Sequence, residues 1–216
     1  MLIPPKLQTG DTVAVIALSL SFGTVDRATR TVAEARFRAL GLDLVFGEHI
    51  EEIDDLGSSS VQSRIADLHA MFADSRVKAI FAVRGGWSAN QLLRQVDWEL
   101  IRRNPKIFCG YSNITVLGNA IYTKTGLVTY YGPGYSTFGQ LRHFDYTLEY
   151  VKKCLLEAEP FRVEASRAWS DDDWKANQDL REQIENDGCV ALHGGTAEGI
   201  IVGGCLSDLT TLQGTE

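Results

Sequence analysis

Thr12 to Leu18, TVAVIAL, is an unbroken apolar run rich in β-branched residues, the pattern of a strand buried on both faces. A Ser/Gly stretch, Ser19 to Thr24, separates it from Val25 to Leu40. There Val25, Ala28, Val32, Ala35 and Leu40 keep helical spacing and Gly41 supplies a stop. Leu42 to Phe46 predicts a second strand, and the acidic, then Gly/Ser-rich residues Glu48 to Ser60 a loop. Val61 to Phe72 predicts a helix with Ile65, Leu68 and Phe72 inward, and Val77 to Val83, VKAIFAV, a third strand. Short helices are expected over Ala89 to Leu93 and Trp98 to Arg103, the latter stopped by Asn104-Pro105. Lys106 to Cys109 reads as a strand, Asn113 to Thr123 as a helix, Leu127 to Tyr131 as a strand, Tyr135 to Gln140 as an irregular loop and Asp145 to Leu156 as a helix.

Strands and helices alternating at these lengths imply βαβ units, and hence an α/β fold whose parallel sheet is covered on both faces. Right-handed crossovers bring every strand-to-helix loop to one sheet edge, outside the carboxyl ends of the strands, where such folds bind ligands. That edge collects Ser19 to Thr24, Arg84 to Asn90 and Ser112.

Gly110-Tyr111-Ser112-Asn113 leaves almost no room for a loop between strand and helix. A serine at so sharp a turn can present an exposed Oγ, with the next backbone N–H placed to stabilise an oxyanion. It can equally be a helix cap, a position that favours Ser and Asn. Arg84-Gly85-Gly86-Trp87-Ser88-Ala89-Asn90 places two glycines directly after a strand. They either let the backbone approach a ligand and aim N–H groups at it or form a plain tight turn. Neither G-x-G-x-x-G nor G-x-x-x-x-G-K-[ST] occurs, so nucleotide-phosphate binding of those kinds is unsupported.

From Glu159 the texture changes. Arg162 to Ser166 is a candidate strand, and Arg167 to Asp187 is polar, with Trp169, Trp174 and Asp171-Asp172-Asp173. It reads as a linker or lid. The tryptophans either stack on a ligand ring or pack the lid down, and the acid triplet reads as a solvated face or a helix N-terminus before it reads as a metal site. Gly199 to Val202 predicts a strand, and Leu206 to Leu212 the start of a helix. The division expected is a nucleophile domain over 1–158, a linker or lid over 159–190 and the beginning of a second domain over 191–216.

Composition narrows the class. A formal charge of −7 argues against a nucleic-acid-binding surface. No apolar run approaches a membrane span, and residues 1–6 lack the features of a signal peptide. Cys109, Cys154, Cys189 and Cys205 are scattered without a C-x-x-C pair, which argues against zinc and a disulfide framework and for a reduced, cytoplasmic chain.

RGGWSANQLL, NPKIFCGYSNIT, TGLVTYYGP and GGTAEGIIVGGCL together resemble the serine LD-carboxypeptidase family over nearly the whole chain and in order. YTKTGLVTYYGPGYSTFG and WSDDDWKANQDLR bring it nearest the microcin C self-immunity carboxypeptidases. The resemblance implies a flavodoxin-like N-terminal domain joined to a swivelling β/α domain. It also implies a Ser–Glu–His triad, no metal or organic cofactor and a homodimer. It makes Ser112 the nucleophile and gives the oxyanion hole to the backbone N–H groups of Asn113 and Gly86. Gly85, Trp87, Ser88, Trp169 and Trp174 become candidate substrate contacts.

Two departures stand out: Asn113 where the family usually has Asp, and Cys205 where its GGNL motif has Asn. The triad Glu and His are expected in stretches beyond Glu216. Of the histidines, His49, His69 and His143 fall in outer positions, and only His193 lies near the inter-domain segment. The chain is therefore expected to be the N-terminal portion of a longer enzyme, or a truncated homologue inactive alone. The activity implied is hydrolysis of the amide between a terminal acidic aminoacyl group and a nucleotide-like moiety. The alternatives are a muropeptide LD-carboxypeptidase of cell-wall recycling and a non-catalytic binding module.

Overall fold

The computed structural model describes residues 1–173, 176 and 178–215. Five strands form one parallel sheet: β1 (Thr12–Ile16), β2 (Asp43–Phe46), β3 (Val77–Ala82), β4 (Ile107–Gly110) and β5 (Tyr130–Tyr131), in the order β2-β1-β3-β4-β5. This is the flavodoxin-like order, and the α/β reading of the sequence holds. The chain leaves β1 toward β2 on one side and later crosses to β3 on the other. The crevice of such a sheet therefore opens between the loops that follow β1 and β3.

The unbroken apolar runs are explained by helices on both faces. Val13, Val15, Phe81 and Cys109 pack on one side with Phe37 of α1 (Arg27–Ala39), Tyr135 and Phe138, and with Val151 and Leu155 of α5 (Asp145–Leu155). Ala14, Ile16, Ile80 and Phe108 pack on the other. Their partners are Ile65, Leu68 and Phe72 of α2 (Val61–Ala73), Ile101 of α3 (Trp98–Arg103) and Leu117 and Ile121 of α4 (Thr115–Thr125). α1 begins at Arg27 rather than Val25 because Asp26 caps it, its carboxylate accepting from Thr29 N–H at 2.9 Å.

The structure corrects five expectations. The strand expected over 127–131 keeps only Tyr130 and Tyr131 in the ladder, because residues just before them pair with Leu2, whose C=O accepts from Val128 N–H. The expected loop at Tyr135 to Gln140 is a 3-10 helix, Tyr135–Gly139, whose Tyr135 and Phe138 are fully buried against α1. The helix expected from Ala89 is a 3-10 turn, Ala89–Leu92. Arg162 to Ser166 and Gly199 to Val202 are not strands: neither has a ladder partner among the described residues, and Ile200, Ile201 and Val202 are exposed.

Beyond α5 an antiparallel pair, β6 (Ala168–Trp169) and β7 (Ile184–Glu185), forms a separate small sheet. This region is tied back to the main body by Tyr146 Oη donating to Glu164 O at 2.5 Å and by Arg181 donating to Gln140 and Arg142. A short helix, α6 (Leu206–Thr210), follows. Among the described residues no helix is long and apolar enough to cross a membrane, and no His/Cys/Asp/Glu group has metal-site geometry.

Phe37 joins three aromatic neighbours, with ring centroids 5.3 Å from Phe81, 4.4 Å from Phe138 and 6.1 Å from Tyr135. Phe37→Ala leaves a cavity in this cluster and is expected to destabilise the protein by about 3–5 kcal/mol. The shift of the urea midpoint against wild type measures it; a loss below about 1 kcal/mol would show that the cluster does not carry this face.

Candidate active site

Ser112 follows β4 at the carboxyl edge, with φ of 57°. Left-handed backbone is strained for a residue with a Cβ, and it persists only where the surroundings impose it. The capping reading does not survive. The 3-10 turn Ser112–Ile114 is capped at Tyr111 and α4 at Ile114, neither with a side-chain capping bond. The conformation is that of a strand-to-helix elbow, which turns the residue out of the sheet edge while the chain re-enters as a helix. The Ser112 N–H donates to Tyr131 Oη at 3.3 Å, so the end of β5 also bounds the turn.

The glycine turn after β3 packs directly on this elbow. A Cβ at Gly85 would lie 2.7 Å from Ser112 Cβ, 2.9 Å from its Oγ and 3.4 Å from Asn113 N. Gly86, at φ 154°, is in backbone that L side chains avoid, and a Cβ there would meet Ser19 Oγ at 2.5 Å. The two glycines are therefore needed for close approach as well as for turning. Ser112 Oγ, Asn113 N and the backbone at Gly85 converge on one small region.

Beneath it lies a buried polar network. Ser19, after β1, donates its hydroxyl to Asn113 Oδ1 at 2.9 Å and accepts from Ser88 N–H at 3.2 Å. Ala89 N–H donates to the same Asn113 oxygen at 2.8 Å. Ser58, after β2, donates to Ser19 O at 2.5 Å and pairs with Ser88 Oγ at 3.2 Å. Arg64 of α2, only 2% exposed, donates to Ser88 O and Oγ at 3.0 Å each and to Gln91 Oε1 at 2.6 Å. Burial pushes its guanidinium pKa down from the usual value. The loops after all four of these strands are thus joined through hydrogen bonds that satisfy buried polar atoms.

The structure brings Ser112, Asn113, Gly85 and Gly86 together. Ser88, expected among the substrate contacts, is buried with its hydroxyl committed to Arg64 and Ser58. Trp87, beside Gly86, is 67% exposed at the mouth of the turn. Trp169 lies on β6 in the separate small sheet and makes none of these contacts, and Trp174 lies outside the described residues. Reading the sequence missed Ser58, Arg64 and Tyr131, because a serine in a loop or an arginine in a helix carries no mark of burial. Among the described residues no hydrogen bond joins a histidine to Ser112. His49 pairs with Glu52, His69 accepts from Asp97 N–H, His143 meets Arg181 O and His193 is exposed. Cys109 is not a competing nucleophile, since full burial raises its thiol well above the ordinary range. Beside the elbow a groove of about 900 Å³, lined by Tyr122, Tyr130, Tyr131 and Tyr150 among others, runs between α4, β5, α5 and residues 199–204.

Comparison with known proteins meets this geometry from the other side. The pattern of the LD-carboxypeptidase N-terminal domain (peptidase S66) matches residues 13–132, which contain the elbow, the glycine turn and the network. The putative carboxypeptidase YocD of Bacillus subtilis (strain 168) is 45% identical over 98% of this chain and 65% of its own length. The probable murein peptide carboxypeptidase of the same organism is 34% identical over 98% of this chain and 60% of its own. The chain thus spans less than two thirds of either relative. Among solved structures, an MccF-like protein from Bacillus anthracis str. Ames is 48% identical, with a TM-score of 0.98 over 100% of this chain and 65% of its own. Microcin C7 self-immunity protein MccF, in complex with aspartyl sulfamoyl adenosine, is 29% identical, with a TM-score of 0.92 over 99% of this chain and 66% of its own. A parallel sheet with a strained serine elbow, and a family pattern that spans both, make this chain a member of the LD-carboxypeptidase family.

Proposed function

We propose that this chain is the nucleophile-bearing part of a serine carboxypeptidase of the microcin self-immunity type. The observation that carries the reading is Ser112, held in left-handed backbone at the end of β4 against a glycine that leaves no room for a Cβ. On this reading Ser112 Oγ attacks the carbonyl of the scissile amide to form a tetrahedral intermediate. The oxyanion is held by the Asn113 N–H and a backbone N–H of the Gly85-Gly86 turn. A general base takes the serine proton and passes it to the leaving amine, and water then releases the acyl group. The reading places that base and its orienting acid in the part of the relatives' length that this chain does not span. It needs neither a metal nor an organic cofactor.

The substrate on this reading is an acidic aminoacyl group joined through an amide-like bond to a nucleotide-like moiety. Support comes from MccF, whose solved complexes hold aspartyl sulfamoyl adenosine and glutamyl sulfamoyl guanosine. Trp87 at the mouth, with Trp169, is then available to stack on the base, and the enzyme acts as a cytoplasmic homodimer. The identity to a probable murein peptide carboxypeptidase favours a second reading, removal of a terminal residue from a muropeptide.

In the full-length protein, Ser112→Ala is expected to lower kcat/KM for aspartyl sulfamoyl adenosine by roughly 10⁴-fold or more. Substrate binding should persist, as followed by calorimetry. Hydrolysis unchanged by the substitution would remove Ser112 from the mechanism. A wild-type protein that cleaves a murein tetrapeptide but not the nucleotide conjugate would favour the second reading. A full-length protein that hydrolyses neither but binds the conjugate would leave a binding module.

Gly85→Ala supplies a finer check on the elbow. Its Cβ would press on Ser112 at 2.7 Å, and a displacement of the nucleophile by about 1 Å is expected to cost on the order of 10²-fold in kcat. The circular dichroism spectrum should remain that of the wild type. Activity within about twofold of wild type would mean that the turn does not set the position of Ser112.

A further inference from the structure

Residues 203–208 are seated on the first turn of α4 by contacts that converge on Asn113 and Thr115. Cys205 N–H donates to Thr115 Oγ1 at 2.9 Å, and Asn119 Nδ2 donates to Gly203 O at 3.0 Å. A Cβ at Gly204 would fall 2.4 Å from Thr115 Cγ2, so the two backbones meet closely. The shortest polar contact is Asn113 Nδ2 donating to Asp208 Oδ1 at 2.6 Å.

The orientation of the Asn113 amide is fixed by its surroundings. Its Oδ1 accepts from Ala89 N–H and the Ser19 hydroxyl, and a backbone N–H can only donate, so the oxygen must face inward. The NH₂ group is left facing α6, where the acceptor is an ionisable carboxylate. A hydrogen bond to a charged acceptor is among the stronger ones a protein makes. The groups meeting Asn113 from the loops after β1 and β3 are the neutral Ser19 and Ala89. The charged partner, among the described residues, is Asp208. The other ionisable group near that end of α6 is the Cys205 thiol, which contacts Ser207 Oγ.

We propose that Asp208 is a positioning residue: its hydrogen bond from Asn113 seats residues 203–212 on the nucleophile's helix and completes the support of the Ser112-Asn113 turn. The inner network holds the Asn113 oxygen and Asp208 holds its nitrogen, so the residue whose N–H faces the Ser112 region is clamped from both ends. The turn therefore reaches its working geometry only when residues 203–212 are seated. The catalytic arm of this inference rests on the hydrolase reading above; the seating itself does not.

The polarity of the pair supplies the test. In the full-length protein, Asp208→Ala at a half-buried position removes the acceptor. It is expected to speed amide exchange across 203–212 and 112–116, and to lower kcat roughly tenfold or more with KM little changed, the size expected for one charge-assisted hydrogen bond. Asn113→Asp sets two carboxylates face to face, which holds one of them protonated to higher pH than usual. Its defect should be large at pH 8 and recede toward pH 5, relative to wild type at the same pH, as one carboxyl gains a proton and can donate. The double substitution Asn113→Asp with Asp208→Asn restores a donor and an acceptor with their roles exchanged. It should recover exchange protection and kcat and lose the pH dependence. Exchange and kcat unchanged in Asp208→Ala, or a double variant no better than Asn113→Asp alone, would overturn the proposal. Should Ser112→Ala retain full hydrolysis while the exchange pattern follows the swap, the seating stands and the hydrolase reading falls.

Discussion

The carboxamide of Asn113 is the point on which the carboxyl edge of this sheet depends. Its oxygen takes hydrogen bonds from the loop after β1 and the turn after β3, its backbone follows Ser112, and its nitrogen reaches α6. Ser19, Ala89 and Asn113 are buried, and a buried polar atom without a partner costs more than a satisfied one returns. Moving any one loop would orphan a donor or an acceptor in another. Arg64 extends the constraint to α2 by binding Ser88 from below, so the loop set behaves as one rigid body beneath the elbow.

That rigidity explains how a strained residue survives. Left-handed backbone at a serine costs on the order of 1–3 kcal/mol and relaxes unless the surroundings over-determine it. Here Gly85 closes one side, Tyr131 the other, and the network fixes the residue that follows. The sheet contributes by topology. Parallel strands deliver all their carboxyl-end loops to one edge, and the change of direction between β1 and β3 sets the Ser19 loop directly against Gly85 and Gly86.

Relatives that match nearly the whole of this chain carry names for different work, murein peptide carboxypeptidase and microcin self-immunity protein. Ser112 and the residues that support it lie inside the matched family region, and so does Trp87, which is exposed at the mouth of the glycine turn. A fold held in common leaves such differences to the sites built on it rather than to the architecture.

The alternation of apolar runs and helical spacings was enough for the parallel sheet, its two covered faces and the strand-to-helix turn that holds Ser112, because burial on two faces leaves a direct mark on composition. The family was legible from motifs in order. Other features left no such mark. Tyr135–Gly139 looked like a loop because its glycines and polar residues masked two fully buried rings, whose burial depends on α1 lying across them. Residues 199–202 looked like a strand because apolar β-branched residues favour one, yet a strand exists only where a partner offers a ladder. Arg64 read as an ordinary helix cation, and only the fold placed carbonyls and hydroxyls where its guanidinium could be buried at acceptable cost. Ser112 as a residue at a turn was written in the sequence. Its left-handed backbone, its contact with Gly85 and the clamp on Asn113 were decided by tertiary structure, because each depends on atoms from loops far apart in the chain that meet only when the sheet closes.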